Sequence, residues 1–364
     1  MSLFTLLLGN SQYTEEDILN WNGEHSDLYF RDVLSLSKEW LVGKDSFSIQ
    51  SSGSTGTPKR IEISRDQIVA SAEKSLSFFD LKPANSVLCP LNIHVVGGKM
   101  MLFRSIIGGL KVHVIHPDRE LKEMDPARTY DFIPITALQL SDVLMLHPEK
   151  IIALNRLKHL LIGGGSISHE LIKEIQTKLN CTVWQSYGMT ETVSHIGMRC
   201  LHPVEEDSYT VLKNILINTD ERNCLKIKGD ITNNEWIQTN DIVEIQNDKH
   251  FRFIGRADFV INSGGIKIQT EILEQQIQEI CINNHMLATF FVCGIPDQLY
   301  GEKVMLVMET HALNVDEKNY VLNVLKKHLP KHHAPKDILC TSFIYTESGK
   351  INRQATIEMF KLNK

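Results

Sequence analysis

The chain has 364 residues, of which 42% are hydrophobic and 23% are charged, and its formal net charge is −6. This size and composition predict a soluble globular protein with two domains, or with one large domain and an appendage. The negative charge argues against a nucleic-acid partner, which needs clustered Lys and Arg. No apolar run approaches the roughly 20 residues that span a bilayer, so we expect no membrane insertion.

Seven cysteines are scattered along the chain without the C-x-x-C spacing of zinc ligands. Such a set, in a chain whose first residues lack a secretory signal pattern, predicts free thiols in a reducing compartment. We therefore expect a cytoplasmic protein.

Residues 1–45 predict an irregular and helical lead-in, after which strand patterns alternate with helical patterns as far as residue 185. The predicted strands cover 87–91, 112–115, 130–135, 160–162 and 182–185. The predicted helices begin after a capping box at Ser64 and Gln67, cover 98–107 and 138–145, and begin again after Ser168. This alternation predicts an α/β fold whose parallel sheet gathers ligands at the carboxyl ends of its strands.

A different pattern follows, because residues 209–254 read as short alternating strands and predict a small β-subdomain. Beyond Gly255, strand patterns accompany two helical patterns, over 270–282 and 315–328. We expect a large N-terminal domain over 1–255, a hinge over 256–258, and a small mobile α+β C-terminal domain over 259–364.

The segment from Gln50 to Lys59 has the sequence QSSGSTGTPK. Its glycines let the backbone approach a ligand, its hydroxyls can donate to phosphate oxygens, and its lysine can offset their charge. The flanking residues alternate like strands, so the loop is predicted to join two strands of a hairpin, unlike a P-loop. The pattern alone leaves open a phosphate-binding loop and a flexible surface turn.

Two segments near the ends of predicted strands could bind a nucleotide. In Ser186–Glu191 (SYGMTE) the aromatic ring could stack on a base, the hydroxyl could bond a phosphate and the carboxylate could hold Mg²⁺. The alternative for this segment is a turn in which Thr190 caps a helix. Asp241 could bind both hydroxyls of a ribose, or it could lie in an exposed turn.

Two later segments carry weaker signals. Gly255–Lys267 (GRADFVINSGGIK) suits a hinge followed by a glycine-rich turn, or a hairpin with a surface ion pair. Ser348–Arg353 (SGKINR) could present a mobile cation, Lys350, to a phosphate or a carboxylate, or it could be a solvated basic loop.

In their order along the chain, from residue 47 to residue 353, these segments resemble the signatures of the adenylate-forming superfamily. This superfamily contains acyl-CoA synthetases, peptide-synthetase adenylation domains and luciferases. The loop resembles S-G-[ST]-T-G-x-P-K, and Tyr187–Glu191 resembles Y-G-x-T-E. Asp241 matches the ribose-binding aspartate, Arg256–Lys267 the hinge and glycine-rich segment, and Lys350 the late catalytic lysine.

The resemblance implies an AMP-forming acid–CoA ligase that uses ATP, Mg²⁺ and CoA and acts through an acyl-adenylate. The residues it implies for the ATP phosphates are Ser51, Ser52, Gly53, Ser54, Thr55, Gly56 and Lys59. It also implies an adenine slot formed by Gly164, Gly165 and Tyr187, and ribose contacts from Asp241 and Arg256. Thr190 would bond the α-phosphate, Glu191 would hold Mg²⁺, and Lys350 would stabilise the charge that crowds there in the transition state.

The same resemblance implies that the C-terminal domain turns about Asp258 and brings Gly264 and Gly265 beside the channel for the thiol arm. His94 and Gly97 lie in a segment that resembles the acyl-pocket lining of CoA ligases, and His195 would face the acyl group. The alternative for both histidines is ordinary pocket or helix-cap packing. Residues 132–140 are similar to a V-P-T-Q-L stretch of o-succinylbenzoate–CoA ligases in menaquinone biosynthesis. We therefore expect this aromatic dicarboxylate as the acid.

One departure from the family concerns the N-terminus, because typical members have a whole subdomain before the phosphate loop. We expect most of that subdomain to be missing here, so a wall of the acyl pocket is simplified or comes from a second subunit, as in a homodimer. Asn240 and Arg60 stand where the family usually has glycine.

Three functions are consistent with the sequence. The first is a CoA ligase for o-succinylbenzoate or for another aromatic or short acid. The second is an adenylating enzyme that loads a carrier protein, which a basic face on the small domain would favour. The third is a non-catalytic nucleotide-binding remnant, against which the presence of Lys59, Glu191, Asp241, Asp258 and Lys350 argues.

Overall fold

The computed structural model describes residues 3–50, 60–163, 165, 167–284, 286, 288–310, 313–346 and 351–362. Several predicted site residues lie outside this part of the chain, and their roles stay predictions: Ser51, Ser52, Gly53, Ser54, Thr55, Gly56, Lys59, Gly164 and Lys350.

The larger sheet of the described chain has thirteen strands. These strands are β1 (Thr5–Leu8), β2 (Ser11–Tyr13), β5 (Ser86–Cys89), β6 (Lys111–Val114), β7 (Phe132–Thr136), β8 (His159–Gly163), β9 (Thr182–Gly188), β10 (His195–His202), β11 (Tyr209–Val211), β12 (Ile215–Thr219), β13 (Cys224–Gly229), β14 (Ile237–Asn247) and β15 (His250–Arg256). Their spatial order is β12-β13-β14-β15-β11-β10-β9-β8-β7-β5-β6-β1-β2. The remaining pair before residue 257, β3 (Ser46–Gln50) and β4 (Arg60–Ser64), forms an antiparallel hairpin, which confirms the predicted flanks of the loop.

The centre of the larger sheet is parallel, from β1 through β6, β5, β7 and β8 to β9. Strand β5 lies between β6 on one side and β7 on the other, so the strand order reverses at β5. In open α/β sheets the crevice outside the carboxyl ends at such a reversal is the usual ligand site. The predicted short strands after residue 209 are present, and they continue this sheet in antiparallel fashion.

Helices cover both faces of the parallel strands, and two separate apolar cores lie beneath them. These helices are α1 (Glu15–Leu19), α2 (Leu28–Leu41), α3 (Arg65–Phe78), α4 (Val96–Ile107), α5 (Ala137–Leu146), α6 (Pro148–Leu154) and α7 (His169–Lys178). The predicted capping box is confirmed at α3, where Ser64 and Gln67 exchange side-chain and backbone hydrogen bonds. Ser168 caps α7, as predicted.

The N-terminal region contains helices, as predicted, but part of the segment predicted to be irregular is a strand of the main sheet. Strand β1 pairs in parallel with β6, and it buries Leu6 and Leu8 in the core. A four-residue strand is too short to show a strand or helix period, and its partner strand lies about a hundred residues further along the chain. The sequence therefore could not reveal that this segment extends the main sheet.

A second sheet begins at Val260, after the 3₁₀ turn Ala257–Phe259, and has its own apolar core. Its strands are β16 (Val260–Ser263), β17 (Ile266–Gln269), β18 (Phe290–Asp297), β19 (Gly301–Glu309) and β20 (Asp337–Thr341), with helices α8 (Thr270–Asn283), α9 (Val315–His328) and α10 (Arg353–Leu362). Helices α8 and α9 agree with the prediction, whereas α10 was not predicted. The division into a large domain, a hinge and a mobile small domain stays a prediction. Among the described helices, none combines the length and the apolar character that a membrane crossing requires.

Candidate active site

The structure brings together Tyr187, Asp241 and Arg256, three residues that the sequence places far apart. Asp241 and Arg256 are register partners on β14 and β15, and Tyr187 lies near the end of β9. The Tyr187 hydroxyl donates to Asp241 Oδ2 at 2.6 Å, and Arg256 Nη1 donates to Asp241 Oδ1 at 3.2 Å. Each carboxylate oxygen can accept a further hydrogen bond, so Asp241 retains capacity for two ribose hydroxyls.

Charge and burial fix the protonation of this group. Burial, reinforced by the negative charge of Asp241, raises the pKa of Tyr187 well above its ordinary value, so the hydroxyl stays a donor. Burial opposes the charge of Arg256, but its bond to Asp258 and the charge of Asp241 outweigh that effect and raise its pKa. The predicted hinge residue Asp258 accepts from Arg256 Nη2 at 2.5 Å. The carboxylate predicted to bind ribose and the residue predicted to act as the hinge therefore share one guanidinium.

Two of the residues predicted to bind adenine lie near the neighbouring ends of β8 and β9: Gly165 follows β8, and Tyr187 lies in β9. Gln185 Nε2 donates to the carbonyl oxygen of Gly165 at 2.9 Å, while Arg199 donates twice to Gln185 Oε1. The Tyr187 ring packs edge-on against Phe251, with the ring centres 5.1 Å apart. Gln185 thus holds the backbone of Gly165, a role that was not predicted from the sequence.

The turn after β9 is close-packed. A Cβ atom on Gly188 would lie 2.3 Å from the carbonyl oxygen of Ser194, so only glycine fits there. A 3₁₀ turn (Thr190–Thr192) begins at Thr190, and its N-cap is Met189. Thr190 is therefore not the helix cap of the alternative interpretation given above. Val193 has a φ of 65°, a strained value for a β-branched residue and typical of a constrained site. Thr190 is buried, whereas Glu191 is exposed.

The carboxylate predicted to hold Mg²⁺, that of Glu191, is exposed. The described residues contain no group of three or more His, Cys, Asp or Glu side chains that could hold a metal ion. Magnesium is commonly bound by one or two carboxylates together with substrate phosphates and waters. The donor set therefore fits an ion that arrives with ATP.

A cavity of about 320 Å³ lies beside the predicted acyl-pocket segment, and Ser48, Arg60, His94 and Lys99 line it. A second cavity of about 170 Å³ shares His94 and Lys99 and has Asp32, Ser35, Leu36 and Glu39 of α2 on its other side. Lys99 Nζ donates to the carbonyl oxygen of Ser48 at 2.9 Å, and burial lowers its pKa. Three side chains that can carry positive charge thus face the larger cavity.

Gly97 and Gly98 begin α4 next to this cavity. A Cβ atom on Gly98 would lie 2.3 Å from the carbonyl oxygen of Asn92, and one on Gly97 would lie 3.2 Å from the Leu91 side chain. The chain before α4 therefore packs directly on the backbone of the helix, which larger residues would prevent.

His195 does not line the open cavity. Its side chain is buried, and its Nε2 lies 2.6 Å from Ser75 Oγ on α3. Burial, reinforced by the charge of Arg104, lowers the pKa of His195 well below its ordinary value, so the imidazole is neutral. This contact corrects the expectation that His195 faces an acyl pocket directly, because its nitrogen already has a partner in the core.

The sequence analysis missed Arg104, which lies on α4 with 2% of its surface exposed. Its Nη1 donates to Met101 Sδ at 3.6 Å and its Nε has no hydrogen-bond acceptor, and among the described residues it forms no ion pair with a carboxylate. Burial lowers its pKa to about 10, so it stays charged at neutral pH. An unpaired buried cation is costly, which makes an anionic ligand a natural partner. The sequence shows only an arginine within an apolar helical pattern, a weak signal.

Gly264 and Gly265 form the turn between β16 and β17. Their φ values of 59° and 82° are those of a tight hairpin turn that favours glycine. A Cβ atom on Gly264 would lie 3.0 Å from His332 Nδ1, so the segment after α9 packs against this turn. In this structure the turn is part of the second sheet, and its place beside a thiol channel stays a prediction.

Comparison with known families gives the class of the protein. Residues 12–216, more than half of the chain, match the family model described as AMP-binding enzyme. The chain therefore belongs to the family of AMP-binding enzymes. The predicted class, an AMP-forming acid–CoA ligase, is confirmed by this membership and by the sequence relatives described next.

Two relatives in sequence are the 2-succinylbenzoate–CoA ligases of Staphylococcus epidermidis and Listeria monocytogenes. The first is 25% identical, with 90% of this chain and 73% of its own length covered. The second is also 25% identical, with 93% and 76% covered. The chain thus spans about three quarters of the length of these relatives.

Two solved structures are similar in fold. An acyl-CoA synthetase (AMP-forming)/AMP-acid ligase II-like protein from Dyadobacter fermentans is 33% identical with a TM-score of 0.64, and 95% of this chain and 98% of that chain are covered. The O-succinylbenzoate coenzyme A synthetase of Bacillus subtilis, solved with ATP and magnesium, is 20% identical with a TM-score of 0.71, and 85% and 69% are covered. These similarities confirm the predicted α/β fold class.

Proposed function

We propose that this enzyme activates o-succinylbenzoate with ATP and transfers the acyl group to CoA, giving o-succinylbenzoyl-CoA, AMP and pyrophosphate. The observation that carries the reaction class is the hydrogen-bonded set of Tyr187, Asp241 and Arg256, in a chain of the AMP-binding family. The named relatives support the choice of acid.

In this proposal Asp241 and Arg256 bind the ribose, and Tyr187 with Gly164 and Gly165 binds the adenine. Thr190 donates to the α-phosphate, and the loop Ser51–Lys59 holds the outer phosphates. Glu191 would hold Mg²⁺, which when bound neutralises charge on the phosphates. Asp258 acts as the hinge, and Gly264 and Gly265 approach the thiol arm of CoA after the small domain turns.

The chemistry proceeds in two half-reactions. A carboxylate oxygen of the acid attacks the α-phosphorus, the bond to the β-phosphate oxygen breaks, and pyrophosphate leaves. Lys350 stabilises the negative charge that gathers between the carboxylate and the α-phosphate, an effect commonly worth about 3–4 kcal/mol. The CoA thiolate then attacks the acyl carbon, and AMP leaves as its bond to that carbon breaks.

The acid has two carboxylates, and the one that does not react needs a cationic partner. His94 and Lys99 face the open cavity with Arg60, while the buried Arg104 lacks a carboxylate partner in the described chain. A fixed guanidinium can bind a carboxylate through two parallel hydrogen bonds. These cations support an acid with a second carboxylate over an acid that is apolar apart from its reacting carboxylate.

A second candidate, the loading of a carrier protein, is favoured by a basic face on the small domain. Lys326, Lys331 and Lys336 lie close together there, and burial and the charges of the other two lower the pKa of Lys336. No carboxylate among the described residues pairs with these three lysines. Such a face would suit an acidic protein. The cytoplasmic location and the homodimer stay predictions.

The test is pyrophosphate release from ATP and Mg²⁺ with a panel of acids, with and without CoA. The acids are o-succinylbenzoate, its two monocarboxylate analogues that each lack one carboxyl group, and benzoate. In a separate assay a phosphopantetheinylated carrier protein replaces CoA as the acyl acceptor. Glu191→Gln and Lys350→Ala are the site variants, and Glu174→Gln, at a helix-surface ion pair on α7, is the matched control.

The proposal expects release with the dicarboxylate, thioester formation with CoA, at least a tenfold loss with either analogue, and full activity of Glu174→Gln. Preferential use of benzoate would overturn the substrate and keep the mechanism. Transfer to the carrier protein but not to CoA would favour the second candidate. Binding of ATP without release for any acid would show a non-catalytic remnant.

A further inference from the structure

The helix α2 contacts the segment that enters α4 from the carboxyl end of β5, here called the 90–94 segment (Pro90–His94). The Tyr29 hydroxyl donates to the carbonyl oxygen of Leu91 at 3.2 Å and accepts from the amide of Ile93 at 3.3 Å. One side chain therefore holds the backbone on both sides of Asn92. Burial raises the pKa of Tyr29, so the hydroxyl stays protonated and can make both bonds.

Other contacts hold the same segment. Gln139 Nε2 donates to the carbonyl oxygen of Pro90 at 3.0 Å, and the His94 amide donates to the Asn92 side chain at 2.9 Å. Asp32, one turn after Tyr29 on α2, lies 3.5 Å from the His94 ring. The segment is therefore positioned by α2 from one side and by α5 from the other.

The helix α2 is in turn tied to the neighbouring strand end. Asp27 caps α2 by accepting from the Phe30 amide at 3.0 Å, and its Oδ2 lies 2.9 Å from His116 Nε2, just after β6. The ring of His116 lies 5.3 Å from that of Tyr29 and its Nδ1 lies 2.7 Å from Glu123. The position of Tyr29 is thus fixed against the carboxyl edge of the parallel sheet.

We propose that Tyr29 is a positioning residue for acid binding, because it fixes the 90–94 segment where α2, α4 and the two cavities meet. This inference rests on the proposed function, in which the segment lines the acyl pocket. In this inference α2 forms one wall of the acyl pocket, because four residues of this helix line the smaller cavity: Asp32, Ser35, Leu36 and Glu39. No second subunit is then needed at that wall.

The experiment compares Tyr29→Phe with Tyr13→Phe, a half-buried tyrosine in β2 that serves as the matched control. Tyr29→Phe keeps the ring contacts and removes both hydrogen bonds to the 90–94 segment. We expect the KM for the acid to rise about tenfold while the KM for ATP changes less than twofold. Asp32→Asn, which weakens the second α2 contact, should raise the KM for the acid in the same direction.

Hydrogen–deuterium exchange of the peptides that cover Leu91 to Val95 gives a readout that needs no turnover. Exchange of the Ile93 amide should become faster in Tyr29→Phe and stay unchanged in Tyr13→Phe. Faster exchange with an unchanged KM for the acid would overturn the role in acid binding, and so would an equal rise in both KM values. If the wild type turns over no acid, the proposed function fails, while unchanged Ile93 exchange in Tyr29→Phe would separately overturn the contact.

Discussion

Asp241 and Asp258 are held by the same guanidinium, that of Arg256, at 3.2 Å and 2.5 Å. The first carboxylate lies where the ribose is proposed to bind, and the second lies at the proposed hinge between the two sheets. A rotation at Asp258 must therefore break or stretch a charge-assisted bond that also orients the ribose-binding carboxylate. Because the proposed ribose site and the proposed hinge share one side chain, we expect occupancy of the nucleotide site to change with the hinge angle.

Replacing Arg256 by methionine should weaken ATP binding. The change removes two charge-assisted hydrogen bonds and leaves the largely buried Asp241 without its cation, and such bonds are worth about 1.5–3 kcal/mol each. We expect the KM for ATP to rise about tenfold to hundredfold, measured by pyrophosphate release. The control is Arg252→Met on the same strand, whose pair with Glu244 is exposed. Equal effects of the two variants would contradict a specific role for Arg256.

Alanine at Gly188 should disrupt the site through sterics alone. The added Cβ would meet the carbonyl oxygen of Ser194 at 2.3 Å and the Cα of His195 at 2.5 Å, and both are backbone atoms that cannot rotate away. We expect thermal unfolding to show that the free energy of unfolding falls by about 3 kcal/mol or more, and we expect activity to be lost. Gly165→Ala, where a Cβ would meet nothing within 4 Å, should keep the fold. A stable Gly188→Ala protein would show that the turn can relax.

Local patterns predicted local structure well, because caps and strand periods involve neighbours in sequence. The box at Ser64 and Gln67 and the pairing of β3 with β4 are of this kind. The contact of Tyr29 with Leu91 joins residues 62 positions apart, and no sequence period marks it. The burial of Arg104 was equally hidden, because a helical pattern does not show which elements cover the helix on its polar side.

His113 should make stability depend on pH in the acidic range. It is buried on β6 with its Nδ1 2.8 Å from the Tyr130 hydroxyl, and burial, reinforced by the charge of Arg128, lowers its pKa from 6.5 to about 4. Between these pH values the unfolded chain binds the proton and the folded chain does not, so stability falls as the pH drops from 6.5 to 4. Over this pH interval the titration of His113 is expected to lower the free energy of unfolding by about 3 kcal/mol.

The measurement is denaturant unfolding of the wild type and of His113→Gln at pH 7 and pH 4. The variant cannot titrate at this position, so its loss of stability over the same interval should be smaller by about 3 kcal/mol. Tyr130→Phe removes the hydrogen-bond partner but keeps the burial that is the main cause of the shift, so it should keep most of the pH dependence. Identical slopes for the wild type and His113→Gln would contradict the assignment.

Replacing Arg104 by an apolar residue is expected to preserve or raise stability and to weaken acid binding. Arg104 is a buried cation without a carboxylate partner in the described chain, and buried ions are often replaced by apolar residues of similar length with a gain of about 1–4 kcal/mol. We therefore expect Arg104→Met to leave the free energy of unfolding unchanged or to raise it. If the unreactive carboxylate of the acid reaches this guanidinium, the same change should raise the KM for the acid at least tenfold and leave the KM for ATP unchanged.

Arg104→Lys separates charge from geometry at this position. Lysine keeps the positive charge but lacks the planar guanidinium that binds a carboxylate through two hydrogen bonds. The KM of the Arg104→Lys variant for the acid should therefore lie between those of the wild type and Arg104→Met. A methionine variant that is destabilised by more than about 2 kcal/mol with an unaltered KM for the acid would assign Arg104 to the core. In that case the cations that face the open cavity, Arg60, His94 and Lys99, would remain as the partners of the second carboxylate.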